Sequence, residues 1–272
     1  MATIRSIALK LFGVSHESNF TLPNLFAKYF LSKLGINQSS PTFQLLKEQY
    51  RRIGNHVRLA KSYSFNGEDR VVAKFLPEVC GKYLDIGSGH PRLGSNTFLF
   101  YKRGWSGITI DPQKRHHILH KIRRRRDHQI QACVNVKSES KSNTTFYRYS
   151  ADDYSTASNA RYLELLSQGK VPVAISEVIT IAIAELGLVA TPSEAFFLDI
   201  DIEGSEFEIL QSIDWKVFKP RVIAVEEWKS PVYVHTVIRR YLEDLGYTLE
   251  SRAVITSIYV HSEYLKLVST HN

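Results

Sequence analysis

Apolar positions change their spacing along this chain. Leu22 to Leu31 and Phe43 to Leu59 repeat at helical intervals and are interrupted by Ser39-Ser40-Pro41, which predicts an N-terminal helical extension over residues 1–60. From Tyr63 onward, short apolar runs alternate with amphipathic segments. Val71, Val72, Phe75 and Leu76 fall at helical spacing behind Gly67-Glu68-Asp69, with acids in the first turn. Strands are expected at 83–86, 107–110, 130–136, 196–201 and 221–226, with a further extended piece at 144–149. Helices are expected from Ser95 to Gly104, from Lys114 to about Arg126, and over 158–168, 176–186, 205–212 and 232–245. Asp152 to Asn159 is polar and is read as a loop. Tyr247 to Leu249 and Ile255 to Val260 follow one another as strands without a helix between them, so they should pair antiparallel. This alternation predicts an α/β domain over residues 61–272 built on an open, mostly parallel sheet.

Composition narrows the class. The chain has 272 residues, 43% of them hydrophobic, enough for one large α/β domain with an appendage. No run approaches the roughly 18 apolar residues of a membrane span, so a soluble protein without a transmembrane segment is expected. Cys80 and Cys133 are the two cysteines, too few for a disulfide framework or a zinc site, and a reducing, cytoplasmic setting is expected. Met1 to Gly13 lacks the apolar core of a secretory signal. The net charge of +8 is unevenly distributed: Lys114 to Arg126 carries seven of the 35 basic residues and no acid. The Arg123 to Arg126 run reads either as a solvated face or as a patch for phosphate or an acidic glycan.

The chemistry starts where the first predicted strand, Tyr83-Leu84-Asp85-Ile86, runs into Gly87-Ser88-Gly89. The second predicted strand ends on Asp111, about 20 residues after that turn, the layout of a nucleoside-cofactor site at the strands' C-terminal ends. A dinucleotide fingerprint needs a third glycine where this chain has Arg92. S-adenosylmethionine needs no phosphate cradle: it needs a close backbone turn, an acid for its ribose hydroxyls and an acid near its ammonium group. Gly87, Ser88 and Gly89, then Asp111, then Asp85 meet those needs. The alternative is a plain strand-to-helix turn.

Several segments occur together in a familiar order: Tyr63-Ser64-Phe65-Asn66-Gly67-Glu68-Asp69, Tyr83 to Gly87, Ser95-Asn96-Thr97, Gly104-Trp105-Ser106-Gly107-Ile108 with Asp111-Pro112, and Asp201-Ile202-Glu203-Gly204-Ser205-Glu206. In this the chain resembles the FkbM family of S-adenosylmethionine-dependent methyltransferases over about residues 62–260. Tyr154-Ser155-Thr156 is similar to a Ser-Thr element that some members carry. The resemblance implies a Rossmann-like class I methyltransferase core of seven strands, the last antiparallel, and O-methylation of sugars or other small-molecule hydroxyls. It also implies that Glu68, Ser95 and Asn96 belong to the cofactor site. Phe65-Asn66, Asp199 and the basic 114–126 segment lie outside the family's pattern.

For the acceptor, Asp201 and Glu203 are the first candidates for base or substrate orientation, with Glu226 at the end of the fifth strand as another. Strand alternation predicts Asp199 and Asp201 on one face, opposite Leu198 and Ile200. Asp199, Asp201 and Glu226 could instead converge on a divalent cation; the metal-free assignment is preferred. Glu206 and Glu208 are read as complementing a helix dipole. His116 and His120 have metal-ligand spacing, but a solvated or anion-facing helix is the preferred reading. Trp228 is a candidate for stacking on a sugar or base, or for packing. The expected partner is therefore a glycan or small-molecule acceptor. Two alternatives remain: a nucleic-acid (RNA) methyltransferase using the basic segment, and an inactive cofactor-fold binding protein.

Overall fold

The computed structural model describes residues 62–135, 142–151, 154–227 and 236–269. The chain divides into two units, Met1–Ala60 and Lys61–Asn272, and every described residue lies in the second. The expected N-terminal helices, the start of the expected 232–245 helix and Trp228 fall outside the described residues.

In chain order the elements are α1 (Glu68–Phe75), β1 (Lys82–Ile86), α2 (Phe98–Arg103), β2 (Ser106–Ile110), α3 (Lys114–Arg123), β3 (His128–Ile130), β4 (Cys133–Asn135), β5 (Asn143–Arg148), α4 (Asn159–Ser167) and β6 (Ala174–Ala182). After a 3-10 turn at Ile183–Leu186 come β7 (Phe196–Ile200), α5 (Glu206–Gln211), β8 (Val222–Glu226), α6 (Val237–Asp244), β9 (Tyr247–Ala253), β10 (Thr256–His261) and α7 (Ser262–Ser269). Seven strands form one sheet in the order β3-β2-β1-β7-β8-β10-β9. Neighbours from β3 to β8 are parallel, and β10 runs antiparallel to both β8 and β9. This is the expected Rossmann-like, mostly parallel seven-stranded architecture. The antiparallel strand is the last in the chain and sits second from the sheet edge.

The central strands read as near-continuous apolar runs because both faces are covered. Leu84, Ile86, Leu198 and Ile200 enter one core layer with Ile209, Leu210 and Leu242. Tyr83 and Phe197 enter the other with Val72, Leu99, Phe100 and Trp105. By alternation Asp85 and Asp199 share the face of Tyr83 and Phe197. The strand order reverses between β1 and β7, which opens a crevice at their C-terminal ends.

Three expectations are corrected. Residues 176–182 are not helical, and only the 3-10 turn at Ile183–Leu186 remains of the expected 176–186 helix: Ile175, Val178, Ile179, Thr180 and Ile181 belong to β6, which pairs with β5 and β4 in a separate three-stranded sheet. The density of β-branched side chains, stiff at χ1, outweighs the ambiguous spacing there. The single strand expected at 130–136 breaks at Gln131-Ala132. Its first part, β3, continues the main sheet beside β2, and its second, β4, leaves for β6.

The third correction concerns the basic run. Helix α3 ends at Arg123, and Arg124, read as surface or anion patch, is fully buried. Its Nε donates to Asp127 Oδ2 at 2.6 Å, Nη1 to Ser95 Oγ at 3.3 Å and Nη2 to Thr97 Oγ1 at 2.9 Å. Nη1 also lies 3.8 Å from Asp85 Oδ2, and the guanidinium sits 5.2 Å from the Tyr83 ring centre. Tyr83 Oη donates to Asp127 Oδ1, which also accepts the Gly107 N–H at 3.1 Å. One cation thus ties β1, β2, α3 and the start of α2 together from inside. Removing one member of a buried ion pair strands the other charge. Arg124→Met should therefore cost about 3–5 kcal/mol, lowering the melting temperature by roughly 10 °C, and adding Asp127→Asn should return part of the loss. Urea unfolding measures both; a cost well below about 1 kcal/mol would mean that the network is incidental.

Candidate functional site

The Gly87-Ser88-Gly89 turn sits at the C-terminal end of β1. Gly87 and Gly89 both have positive φ, 84° and 52°, a region open to glycine at little cost. The N–H groups of Gly87 and Ser88 donate to the Ile110 carbonyl at 2.9 and 3.1 Å, folding the turn over the end of β2. A Cβ on Gly87 would lie 1.7 Å from the Asp201 carbonyl oxygen, so this glycine is required by the close approach of the two chains. A Cβ on Gly89 would meet only the Gly87 carbonyl oxygen, at 3.8 Å, leaving room for a ligand against the backbone.

Asp111 locks the same turn. Its Oδ2 accepts the Gly89 N–H at 3.0 Å and its Oδ1 the Gln113 N–H at 2.7 Å. A carboxylate has about four acceptor positions, so acceptor capacity for a ribose hydroxyl remains. His116 Nδ1 lies 3.1 Å from Asp111 Oδ1, and His120 Nε2–H donates to the Gly89 carbonyl at 3.2 Å. Both histidines are buried, which corrects the reading of a solvated helix face. The turn and Asp111 fit a nucleoside bearing an adjacent diol.

The other cofactor candidates lie deeper. Ser95 Oγ accepts the Phe98 N–H at 3.1 Å, capping α2, which begins three residues later than expected. Asn96 Nδ2 donates to Asp199 Oδ1 at 3.1 Å, and Thr97 Oγ1 donates to Asp85 Oδ2. Glu68 accepts the N–H and Nδ2 of Asn66 at 2.8 and 2.9 Å. Its neighbour Asp69 holds Ser62, Tyr63 and Ser64. Asp85 and Asp199 stand side by side in register on adjacent strands. Burial pushes Asp85 up to about 6, with Arg124 pulling the other way. Burial and then the charge of Asp85 hold Asp199 well above the ordinary carboxylate range. Together these side chains form a buried polar floor beneath the turn.

On the other side of the switch point, the strands end in a second set of acids. Asp201 lies just past β7, exposed, with its N–H donating to the Ile86 carbonyl at 2.9 Å. It does not share a setting with Asp199, as alternation predicted, because the strand ends between them. Asp201, Glu203 and Glu226 instead offer carboxylate oxygens all within 4.8 Å of one another. Asp199 points into the polar floor, so the acids that meet are Asp201, Glu203 and Glu226, not the Asp199, Asp201 and Glu226 weighed as an alternative to the metal-free assignment. Burial, then Asp201, Glu203 and Glu206, pushes Glu226 up to about 12.

Glu203 is held in the left-handed region, φ 60°, a conformation that costs a non-glycine residue of order 1 kcal/mol or more. Thr156 Oγ1 donates to its carbonyl at 2.9 Å, and Arg161 Nη2 to its carboxylate at 3.3 Å. Glu206 accepts the Gly204 N–H at 2.9 Å and caps its own turn, consistent with its reading at a helix start. A cavity of about 450 Å³ opens here, lined by Glu164, Glu203, Glu206, Glu226 and Glu227 with Arg161, Ser158, Thr236, Val237 and Ile238 among others. Arg124 and Arg161 carried no signal of burial in the sequence. The roles of His116, His120 and Thr156 could have been suspected from their spacing and from the Ser-Thr element.

Comparison with known proteins gives one family match. The methyltransferase FkbM domain model matches residues 85–249. Among curated proteins, none matches this chain. Of solved structures, the chain is similar to a TehB-like SAM-dependent methyltransferase from Corynebacterium glutamicum, at 14% identity and TM-score 0.37, over 79% of this chain and 97% of that one. It is also similar to cofactor-bound Rv0187 from MTB, at 10% identity and TM-score 0.34, over 90% and 99% of the two chains. The family assignment rests on the domain match alone.

His120 should make the glycine turn sensitive to acid. Burial, then the nearby Arg124 charge, lowers its imidazole to about 3, whereas the unfolded group titrates near 6.5. Between those values the unfolded state binds the extra proton, so this group's contribution to stability falls as pH drops. By pH 5 the loss should approach about 2 kcal/mol. His120→Gln, which keeps a donor towards the Gly89 carbonyl, should flatten the difference in urea stability between pH 7.5 and pH 5. Equal slopes in both proteins would refute the assignment.

Proposed function

This chain belongs to the FkbM family of methyltransferases, and from that premise we propose that it methylates a hydroxyl of a sugar, glycan or small hydroxylated metabolite, using S-adenosylmethionine. The observation that carries this reading is the meeting of two half-sites at the β1–β7 switch point, where Gly87 lies directly against Asp201. One half is the Gly89 turn tied to Asp111; the other is the carboxylate-lined cavity. Bound S-adenosylmethionine supplies an electrophilic methyl group on sulfur.

In this reading Gly87, Ser88 and Gly89 give the cofactor a close backbone surface, and Asp111 accepts from its ribose. Asp85, Ser95, Asn96 and Glu68 support that surface from the polar floor. Asp201, next to the turn and open to solvent, takes the acceptor's hydroxyl proton. As the O–H bond breaks, the oxygen forms a bond to the methyl carbon and the carbon–sulfur electrons remain on sulfur. Glu203 and Glu226 orient the acceptor. Positioning two reactants in line supplies much of the rate and the base a further 10²–10⁴-fold.

The RNA reading draws on exposed Lys114, Arg115, Lys121, Arg123 and Arg125. The acid lining of the cavity opposes it, since like charges juxtaposed with a polyanion are costly.

Calorimetry with S-adenosylmethionine should show binding to the wild type that weakens by about tenfold or more in Asp111→Ala, as expected for loss of about 1.4 kcal/mol. Asp201→Ala should keep that binding and lose about 10²-fold or more in transfer of labelled methyl to a hydroxylated acceptor. Failure of the wild type to bind the cofactor would leave the inactive binding-protein reading. Methylated nucleotides, with RNA binding that falls steeply with salt, would replace the acceptor proposed here.

A further inference from the structure

We propose that Asp201, Glu203 and Glu226 form a site for one divalent cation with hard oxygen preference, Mg²⁺ or Mn²⁺, which holds the acceptor hydroxyl; the acceptor role rests on the methyl-transfer reading above. The three residues come from two adjacent strand ends, and each offers an oxygen within 4.8 Å of the other two. Ligand oxygens at 2.0–2.6 Å from one hard cation lie about 3 to 5 Å apart, which matches this spread.

Glu226 supplies the second observation. It is only 6% exposed, and its Oε2 is buried without a hydrogen-bond partner among the described residues. Glu226 shares a side-chain hydrogen bond with Asp201 inside the trio, but a buried polar oxygen left unmatched is costly, and this Oε2 belongs to a residue that lines the cavity beside Glu203. Among the described residues lining that cavity, Arg161 is the one permanent cation, against five glutamates, and it sits on Glu203 and Glu164. Among the described residues, no lysine or arginine forms an ion pair with Glu226.

Three carboxylates leave about half of an octahedral shell for water and for an acceptor oxygen. An acceptor hydroxyl on the ion is acidified by the Lewis acid. Its O–H bond breaks and the proton passes to the Asp201 oxygen that is not on the ion. The acceptor oxygen then bonds to the methyl carbon while the carbon–sulfur pair goes to sulfur. The ion is unchanged by the cycle.

The test is titration of the full chain, saturated with S-adenosylmethionine, with Mn²⁺ followed by electron paramagnetic resonance. One saturable Mn²⁺ per chain is expected, displaced by Mg²⁺ and weakened at least tenfold in both Glu226→Gln and Asp201→Asn. Glutamine preserves the volume of the buried side chain, and Asp201 is exposed, so a thermal melt should show both variants folded. Absence of saturable Mn²⁺ binding, or binding unchanged in both folded variants, overturns the proposal. Cofactor calorimetry on the same samples separates the two readings: cofactor bound without Mn²⁺ defeats the metal site alone, and no cofactor bound defeats the transferase reading.

Discussion

The geometry of the site depends on the close approach of Gly87 to the Asp201 carbonyl. Two parallel strands at a switch point must send their chains in opposite directions, and here they separate with backbone against backbone, in a gap too small for even a methyl group. Asp201 N–H still reaches the Ile86 carbonyl across that gap. The glycine turn proposed to meet the cofactor and the loop that presents the acids are therefore one rigid junction. Side chains on opposite sides of it are held to each other through hydrogen bonds and sterics that leave little play.

Beneath the junction lies a layer whose cost is electrostatic. Asp85, Asp199, Glu68 and Asp127 are all nearly buried, and Arg124 is the cation that faces Asp85 and Asp127. Isolated buried carboxylates are unfavourable by several kcal/mol, so the domain accommodates them by pairing, by hydrogen bonds from Thr97 and Asn96, and by holding protons. Such a floor contributes little net stability compared with an apolar one. What it gives is fixed geometry: a shift of Arg124 would disturb β1, the cap of α2 and the end of α3 together.

The main sheet was legible because strands covered on both faces are apolar runs, and the Gly87 turn, Asp111 and the Asp201-to-Glu206 segment were legible because each needs particular residue types at fixed spacing. Burial of single charges was not. Four consecutive arginines look alike in sequence, and only the position of the α3 C-terminus decides that Arg124 turns inward while Arg123 and Arg125 stay exposed. The same limit hid the pairing of Arg161 with Glu203, which spans 42 residues. Strand β6 was missed for a different reason: its exposed Ile175 and Ile179 sit at a spacing compatible with either period, and its partners β4 and β5 lie outside the main sheet.

The distribution of charge gives the site a direction. The chain is basic overall, and exposed cations crowd α3 on the side where Asp111 and the glycine turn lie, yet the cavity past Asp201 gathers five glutamates. Concentrating like charges raises the free energy of the empty cavity, and the fold adds to that cost by holding Glu203 in a left-handed backbone conformation secured by Thr156 and Arg161. A domain needing these residues only for packing would be more stable with neutral ones. Part of that repulsion is relieved by the proton that Glu226 retains and by its hydrogen bond with Asp201. In the reading proposed above, a hydroxyl-bearing acceptor on a divalent ion offsets the rest, to which a phosphate backbone would add.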